Sequence, residues 1–277
     1  MRFSTQPIHE QEASEDIARI YQSIKNTLGL AYVPMMFKYL AHYQPFLENL
    51  WDSINKNIQD PSFKAVLGYI DGDIRNAGHT LFRASSSHDT LITLLPDHVI
   101  RQRISEEIRD FFVLQCKLAY VCVAIRQAIK GWAVGAKYLE SEQAFHAMNE
   151  SHASGLDDEI RNIMLVESTS ALAVSSDLQN PLLTFLVLLN EEFANVTRTE
   201  TYVLARVQVE KALDTRVQDM PHPIRASYND VATLVKNHDE LPYLFYLLSE
   251  KFPVVHAVSS LMWGYGMGML GDRGIEG

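Results

Sequence analysis

The strongest constraint on the fold of this chain is a pattern of helix and proline that occurs twice. Ile17, Tyr21, Ile24 and Leu28 align with Ile224, Tyr228, Val231 and Val235 at a constant spacing of 207 residues. Pro34, Phe37, Leu40 and Pro45 then align with Pro242, Phe245, Leu248 and Pro253 at a spacing of 208. One inserted residue in the joining loop reconciles the two. Each copy reads as two amphipathic helices joined through a proline, because the apolar residues recur three or four apart and the residue before a proline is biased to extended geometry. Such a repeat predicts an internal duplication.

Helical periodicity continues along the rest of the chain. Ser14 predicts an N-cap for a helix over 15–28, with Glu15 and Asp16 in the first turn where the helix dipole favours anions. Pro34 opens a second helix towards Ile58, which Pro45 must kink or divide, because an interior proline removes a backbone hydrogen bond. Asp60-Pro61 predicts a cap and first-turn proline for a third helix through Leu81, closed by Ser85-Ser86-Ser87. Another helix passes through Ile100 to Phe112. From Phe111 to Tyr138 the chain is apolar on nearly every side, which places a helix in the middle of the protein. Further helices are predicted over 140–152, 156–175, 180–193 and 201–213, and 215–223 reads as a linker. The glycine-rich tail after Trp263 is expected to fray or to lie over a surface rather than hold a stable helix. Alternating apolar runs of the kind that make sheets do not occur.

The fold class expected is therefore all-α, with two related helical units from an internal duplication packed as a pseudo-dimer around a central apolar helix. The units divide at 13–138 and 139–277, the repeated hairpin lying at 224–263, with one continuous core as the alternative. At 277 residues and 47% hydrophobic composition there is ample material for such a core.

A net charge of −10 gives no general attraction to nucleic acid or to an anionic membrane, and neither is an expected partner. No uncharged apolar run reaches the ~18 residues a spanning helix needs, and the N-terminal stretch has no apolar segment of the secretory kind. The expected location is cytoplasmic. Cys116 and Cys122 are spaced C-x5-C in an apolar run, which suits small buried side chains better than a zinc or redox pair.

Several polar groupings could carry chemistry. Glu142, His146 and Glu150 share one helix face, with His152 nearby, but no second glutamate-x-x-histidine supplies partner ligands, so a solvated face is expected and no metal or other cofactor. Asp71-Gly72-Asp73 with His79 lacks the closing glutamate of a calcium loop, and Gly72 is expected to permit close helix packing. Ser85 to Asp89 reads as a helix-ending loop, and Gly264 to Gly271 follows no strand and cannot be a phosphate loop. In a pseudo-twofold arrangement Met35, Met36 and Phe37 would approach Tyr243, Leu244 and Phe245. That junction would form either core or a small apolar pocket with helix amides facing a carboxylate.

The stretch from Ile17 to Trp51 also resembles the opening of the group I 2-haloacid dehalogenases, all-α proteins of two related helical units. It shares with them a valine-proline, an aromatic, a leucine-alanine pair, a proline and a tryptophan. Leu114-Gln-Cys-Lys-Leu118 is similar to their asparagine-proline-lysine segment, with Gln115 in place of the asparagine and Cys116 in place of the proline. The resemblance covers residues 13–135. It implies metal-independent hydrolysis of small 2-halocarboxylic acids, in which an aspartate activates the attacking water. On that basis Asp177 is the candidate base and Gln115 the residue that orients water or substrate. Met36, Phe37, Ser176, Tyr243 and Phe245 are candidates for binding a small-molecule carboxylate, in a monomer or a homodimer. The alternatives are a non-catalytic relative binding a small carboxylate or apolar ligand, and a helical protein-interaction module. A carboxylate within reach of the Gln115 side chain would favour the hydrolase.

Overall fold

A computed structural model describes residues 6–85, 91, 93–131, 158–171 and 178–271, and among them every regular element is helical. Helix α1 (Glu15–Leu28) starts at Ser14, whose hydroxyl accepts from the Ile17 amide, and stops at Gly29 in the left-handed region at φ 70°. The extended Pro34 begins the short α2 (Met35–Leu40). A single 3₁₀ turn follows, and α3 (Gln44–Gln59) then takes Pro45 into its first turn, where the missing N–H costs nothing. Pro45 thus divides the segment, as its chemistry requires. Asp60 caps α4 (Pro61–Arg83) by accepting from the Ser62 amide.

The helix through Ile100 and the apolar run after Phe111 prove to be one element, α5 (His98–Ile129), buried along its second half. Then come α6 (Asp158–Ala171), α7 (Gln179–Val196) and α8 (Glu200–Arg216). The linker 217–227 is strapped to α3 by buried side chains. Asn57 donates to the His222 carbonyl at 3.0 Å and accepts from its amide at 2.9 Å, while Ser53 Oγ accepts from the Arg225 amide at 3.1 Å. Beyond it lie α9 (Tyr228–Leu234), α10 (Leu241–Tyr246), a π-helical turn over Leu247–Lys251 and α11 (Phe252–Met269). The second proline pattern therefore runs through helices in the same order as the first. Its leading helix is only 7 residues against 14 in α1, and Ile224 falls ahead of it.

The expectation for the tail is corrected by the structure. The segment after Trp263 is helical as far as Met269, for α11 runs unbroken through Gly264, Gly266 and Gly268, and every residue in it except Val254 is buried; residues 272–277 lie outside the described residues. Packing overrides propensity here. A methyl group built on Gly78 of α4 would lie 2.4 Å from the Gly264 carbonyl carbon and 2.6 Å from the Tyr265 nitrogen. Gly266 faces Phe185 and Leu189 of α7, and Gly268 faces Phe82 and His79 of α4. The glycines let three helices close on one another, and the burial this allows outweighs the ~1 kcal/mol that each costs in helix propensity.

Gly72 also departs from expectation. A methyl group there would meet nothing within 4 Å, so the close approach belongs to Gly78. Asp71 is engaged by Arg75 at 2.9 Å one turn on, as expected of a helix surface rather than an ion-binding loop. Cys116 and Cys122 are buried free thiols. The buried apolar residues, from Ile17 to Leu270, form one cluster spanning both halves. No helix among the described residues is long and apolar enough to cross a membrane.

Gly78 and Gly72 together give a paired prediction. Gly78→Ala should cost at least about 2 kcal/mol of stability, because the clash is with backbone. Gly72→Ala should add about 0.5–1 kcal/mol by improving helix propensity without a new clash. Urea unfolding of both variants measures the contrast, and equal midpoints would refute the assigned packing.

Candidate functional site

Three buried polar side chains from three different helices meet in the middle of the fold. Gln115 of α5 is 0% exposed, Glu167 of α6 is 2% and His256 of α11 is 0%. The Gln115 amide Nε2 donates to Glu167 Oε2 at 3.4 Å, and Gln115 Oε1 faces His256 Nδ1 at 2.9 Å. The other carboxylate oxygen, Oε1, accepts from the backbone N–H of Met35 at 2.9 Å. That amide is available because Met35 begins α2 and the first turn of a helix has no internal acceptors for its donors. Pro34 before it, extended at ψ 145°, fixes where the helix starts.

The segment ahead of α2 is braced from outside. Glu10 accepts from the Val33 amide at 3.0 Å and pairs with Lys25 at 2.8 Å, while the Ile8 amide donates to the Lys38 carbonyl at 3.1 Å. On the α11 side, the His256 ring stacks on Phe252, whose ring meets Tyr39 edge-on. The buried Lys251 closes this row with its ammonium 4.7 Å from the Tyr39 ring centre.

Burial governs the charges. Desolvation pushes the Glu167 carboxyl up to about 7, against the opposing pull of the Met35 amide, the Gln115 amide and the Lys38 charge. The same burial drives His256 down to about 3, so its imidazole is neutral at physiological pH. Although His256 Nδ1 lies 3.9 Å from Glu167 Oε2, the pair is therefore not an ion pair. The Glu167 charge also raises the Tyr32 phenol, itself pushed up chiefly by burial. Tyr32 Oη and His256 Nε2 are buried and have no hydrogen-bond partner among the described residues. Two unsatisfied polar atoms around one carboxylate mark a place with room in its hydrogen-bonding, if not in its packing, for a further polar group.

Of the residues singled out from the sequence, Gln115 is the one whose side chain the structure brings into this cluster, and Met35 joins it through its backbone amide. Met36 packs with its sulfur 3.3 Å from Cys122 Sγ, and Phe37 meets Trp51 edge-on at 5.4 Å. Phe245 stacks on Tyr228, and Tyr243 tilts against Tyr246. The expected approach of Met35, Met36 and Phe37 to Tyr243, Leu244 and Phe245 is not among the extensive helix contacts, in which α2 packs on α3 and the turn before it, and α10 on the turns that flank it. Repeated sequence at the prolines sets the start of each helix and leaves its neighbours to the rest of the core. Ser176 and Asp177 lie outside the described residues, as do Glu142, His146, Glu150 and His152. Glu167 is the functional candidate that sequence reasoning missed. Its one signal was a glutamate in register with Ile160, Ile163 and Met164, on the apolar side of a predicted helix.

Two surface clefts lie away from this cluster. One, of about 350 Å³, is lined by Leu94, Leu183 and Val187, and the other, of about 370 Å³, runs between Asp73 and Lys211. Neither holds a buried titratable group, so the chemistry of interest remains with Glu167.

No protein-family model and no curated protein matches the sequence. Solved structures do match the fold. A mutant D-2-haloacid dehalogenase superposes with a TM-score of 0.67 at 16% identity, over 96% of each chain. A complex of D-2-haloacid dehalogenase with L-LA gives 0.66 at 16% identity over 96% of each chain. A mutant D-2-haloacid dehalogenase with D-2-CPA gives 0.66 at 16% identity over 96% of this chain and 95% of the other. The chain thus has the all-α fold of those dehalogenases along nearly its whole length.

The buried carboxyl should be visible in the pH dependence of stability. Its folded-state value lies above the ordinary 4.5, so Glu167 contributes stability that is fully present below about 4.5 and is lost as pH rises through about 7. Glu167→Gln removes that loss. Relative to the variant, the wild type should weaken by about 3 kcal/mol between pH 4.5 and pH 8. Unfolding curves at the two pH values test this, and parallel behaviour would show that Glu167 is not desolvated.

Proposed function

We propose that the protein is a metal-independent hydrolase of small 2-halocarboxylic acids, in which a buried carboxylate activates water. The observation that carries this reading is the Glu167 carboxyl, held by the Gln115 amide at 3.4 Å and the Met35 amide at 2.9 Å. Its value near 7 also supports the reading, because a general base works best when it is poised close to the operating pH. The shared fold with D-2-haloacid dehalogenases supports it independently.

In this reading Glu167 accepts a proton from water as the water oxygen bonds to C2 of the substrate. The carbon–halogen bond breaks, and the halide leaves with the bonding electron pair. Gln115 holds the carboxylate in line, and exclusion of bulk water keeps it basic. Asp177, the base suggested by resemblance alone, remains the rival for the same role.

The test is chloride release from 2-chloropropionate by the purified protein. Glu167→Gln should lower kcat by at least about 100-fold, and kcat/KM of the wild type should climb as pH rises through about 7, where the carboxyl ionises. If Asp177→Asn abolishes release and Glu167→Gln does not, the base is Asp177. Stabilisation by 2-chloropropionate without any release would instead fit a protein that binds small carboxylates and does not turn them over.

A further inference from the structure

The pairing of His256 with Gln115 does more than fill the core. Gln115 stands between two partners, with its oxygen 2.9 Å from His256 Nδ1 and its nitrogen 3.4 Å from Glu167 Oε2. Two orientations of the amide, each with its own tautomer of the ring, satisfy both neighbours. If His256 carries its proton on Nδ1, it donates to Gln115 Oε1, and the amide N–H is turned to Glu167, where either the ionised carboxylate or the carbonyl oxygen of the protonated acid accepts it. If the proton sits on Nε2, the amide must flip, donate to Nδ1 and present its oxygen to Glu167, which then has to be protonated. The ease with which the carboxyl ionises is thereby tied to the tautomer of a ring on another helix.

The surroundings of Nε2 choose between the two. That atom is buried and has no partner among the described residues. A buried donor left unpaired is rarer in folded proteins than an acceptor left unused, so Nε2 is the bare nitrogen and Nδ1 carries the proton. The stack on Phe252 holds the plane of the ring. We propose that His256 is a positioning residue, whose Nδ1–H holds the Gln115 amide with its nitrogen toward Glu167. It acts through Gln115. The role rests on the reading of Glu167 as the base, and it deepens that reading by naming what keeps the base able to accept a proton.

The other groups facing the carboxyl are the Tyr32 phenol ahead of α2, Lys38 on α2, and the Cys122 thiol on α5, whose pKa the Glu167 charge raises further. None of them meets the Gln115 amide in the way His256 does, so each leaves its orientation free.

The carboxyl can be followed without substrate. Full-length protein labelled with ¹³C at the glutamate side-chain carboxyls is titrated by NMR, with Glu167→Gln identifying the Glu167 signal. His256→Leu, which frees the amide to flip, should raise the Glu167 midpoint by at least about one pH unit. His256→Asn keeps an N–H donor near the Nδ1 position and should leave the midpoint within about 0.3 units, far less than the shift that loss of the hydrogen bond produces. A midpoint unmoved in His256→Leu, or moved equally in both variants, would overturn the proposal. Should His256→Leu fail to fold, ¹⁵N spectra of histidine-labelled wild-type protein still decide it. A proton on Nδ1 supports the role and a proton on Nε2 overturns it. Absence of chloride release with these titrations as expected would sink the hydrolase reading while leaving the positioning role standing.

Discussion

The approach of α4 to α11 at Gly78 and Gly264 is the junction on which the rest of the arrangement depends. With no side chain on either residue the two backbones come together closely enough that a single methyl group would collide with main-chain atoms at 2.4 Å. That proximity lets α11 lie in the centre with α4 on one side, α5 on another and α7 closing over Gly266. Trp263 then meets Phe111 edge-on at 4.9 Å, and Tyr265 meets both Phe82 and Phe193. Aromatic pairs of this geometry stabilise beyond the area they bury, and here they fix the rotation of α11 about its axis. His256 is on the same helix, about two turns before Gly264, so whatever sets the rotation of α11 also aims the imidazole at Gln115.

The candidate site is assembled in the same way from elements distant in sequence. Gln115 and Glu167 are 52 residues apart, Gln115 and His256 are 141 apart, and the Met35 amide reaches Glu167 across 132. Each partner is rigid for a local reason. Met35 is placed by Pro34, Gln115 by a helix buried along that stretch, and His256 by its stack on Phe252. A carboxylate in this position is costly to ionise. Its rise from 4.5 to about 7 corresponds to about 3 kcal/mol at neutral pH, comparable with truncation of a large core side chain. Three converging donors would have lowered it. The structure supplies two, and one of those is long at 3.4 Å, so desolvation wins.

The helices themselves were legible in the sequence because their signals are local. Ser14, Asp60 and Pro45 each act on the nearest turn of chain, and each does what its chemistry predicts. Gly264, Gly266 and Gly268 misled for the same reason, since local propensity counts the entropy of glycine and is blind to a partner helix that needs it. The site was half legible. Gln115 could be found because the segment around it resembles one in known enzymes, whereas Glu167 is a lone glutamate among apolar residues and is ordinarily read as surface. Its register with Ile163 and Met164 hints at the buried side of α6, but nothing local announces that it will meet the start of α2, where it is 2% exposed.

The polar connection across the core also explains why its members differ in kind. An ion pair between Glu167 and a charged His256 would need both groups desolvated and held at close range, and they stand 3.9 Å apart with the imidazole held neutral by burial. A neutral amide between them avoids that cost. It can donate to one neighbour and accept from the other at once, which neither a carboxylate nor an ammonium could do. An asparagine in place of Gln115 would be shorter by one methylene and could not span both neighbours from the same backbone position. The glutamine at this position is therefore long enough to reach a carboxylate on α6 and an imidazole on α11 at once.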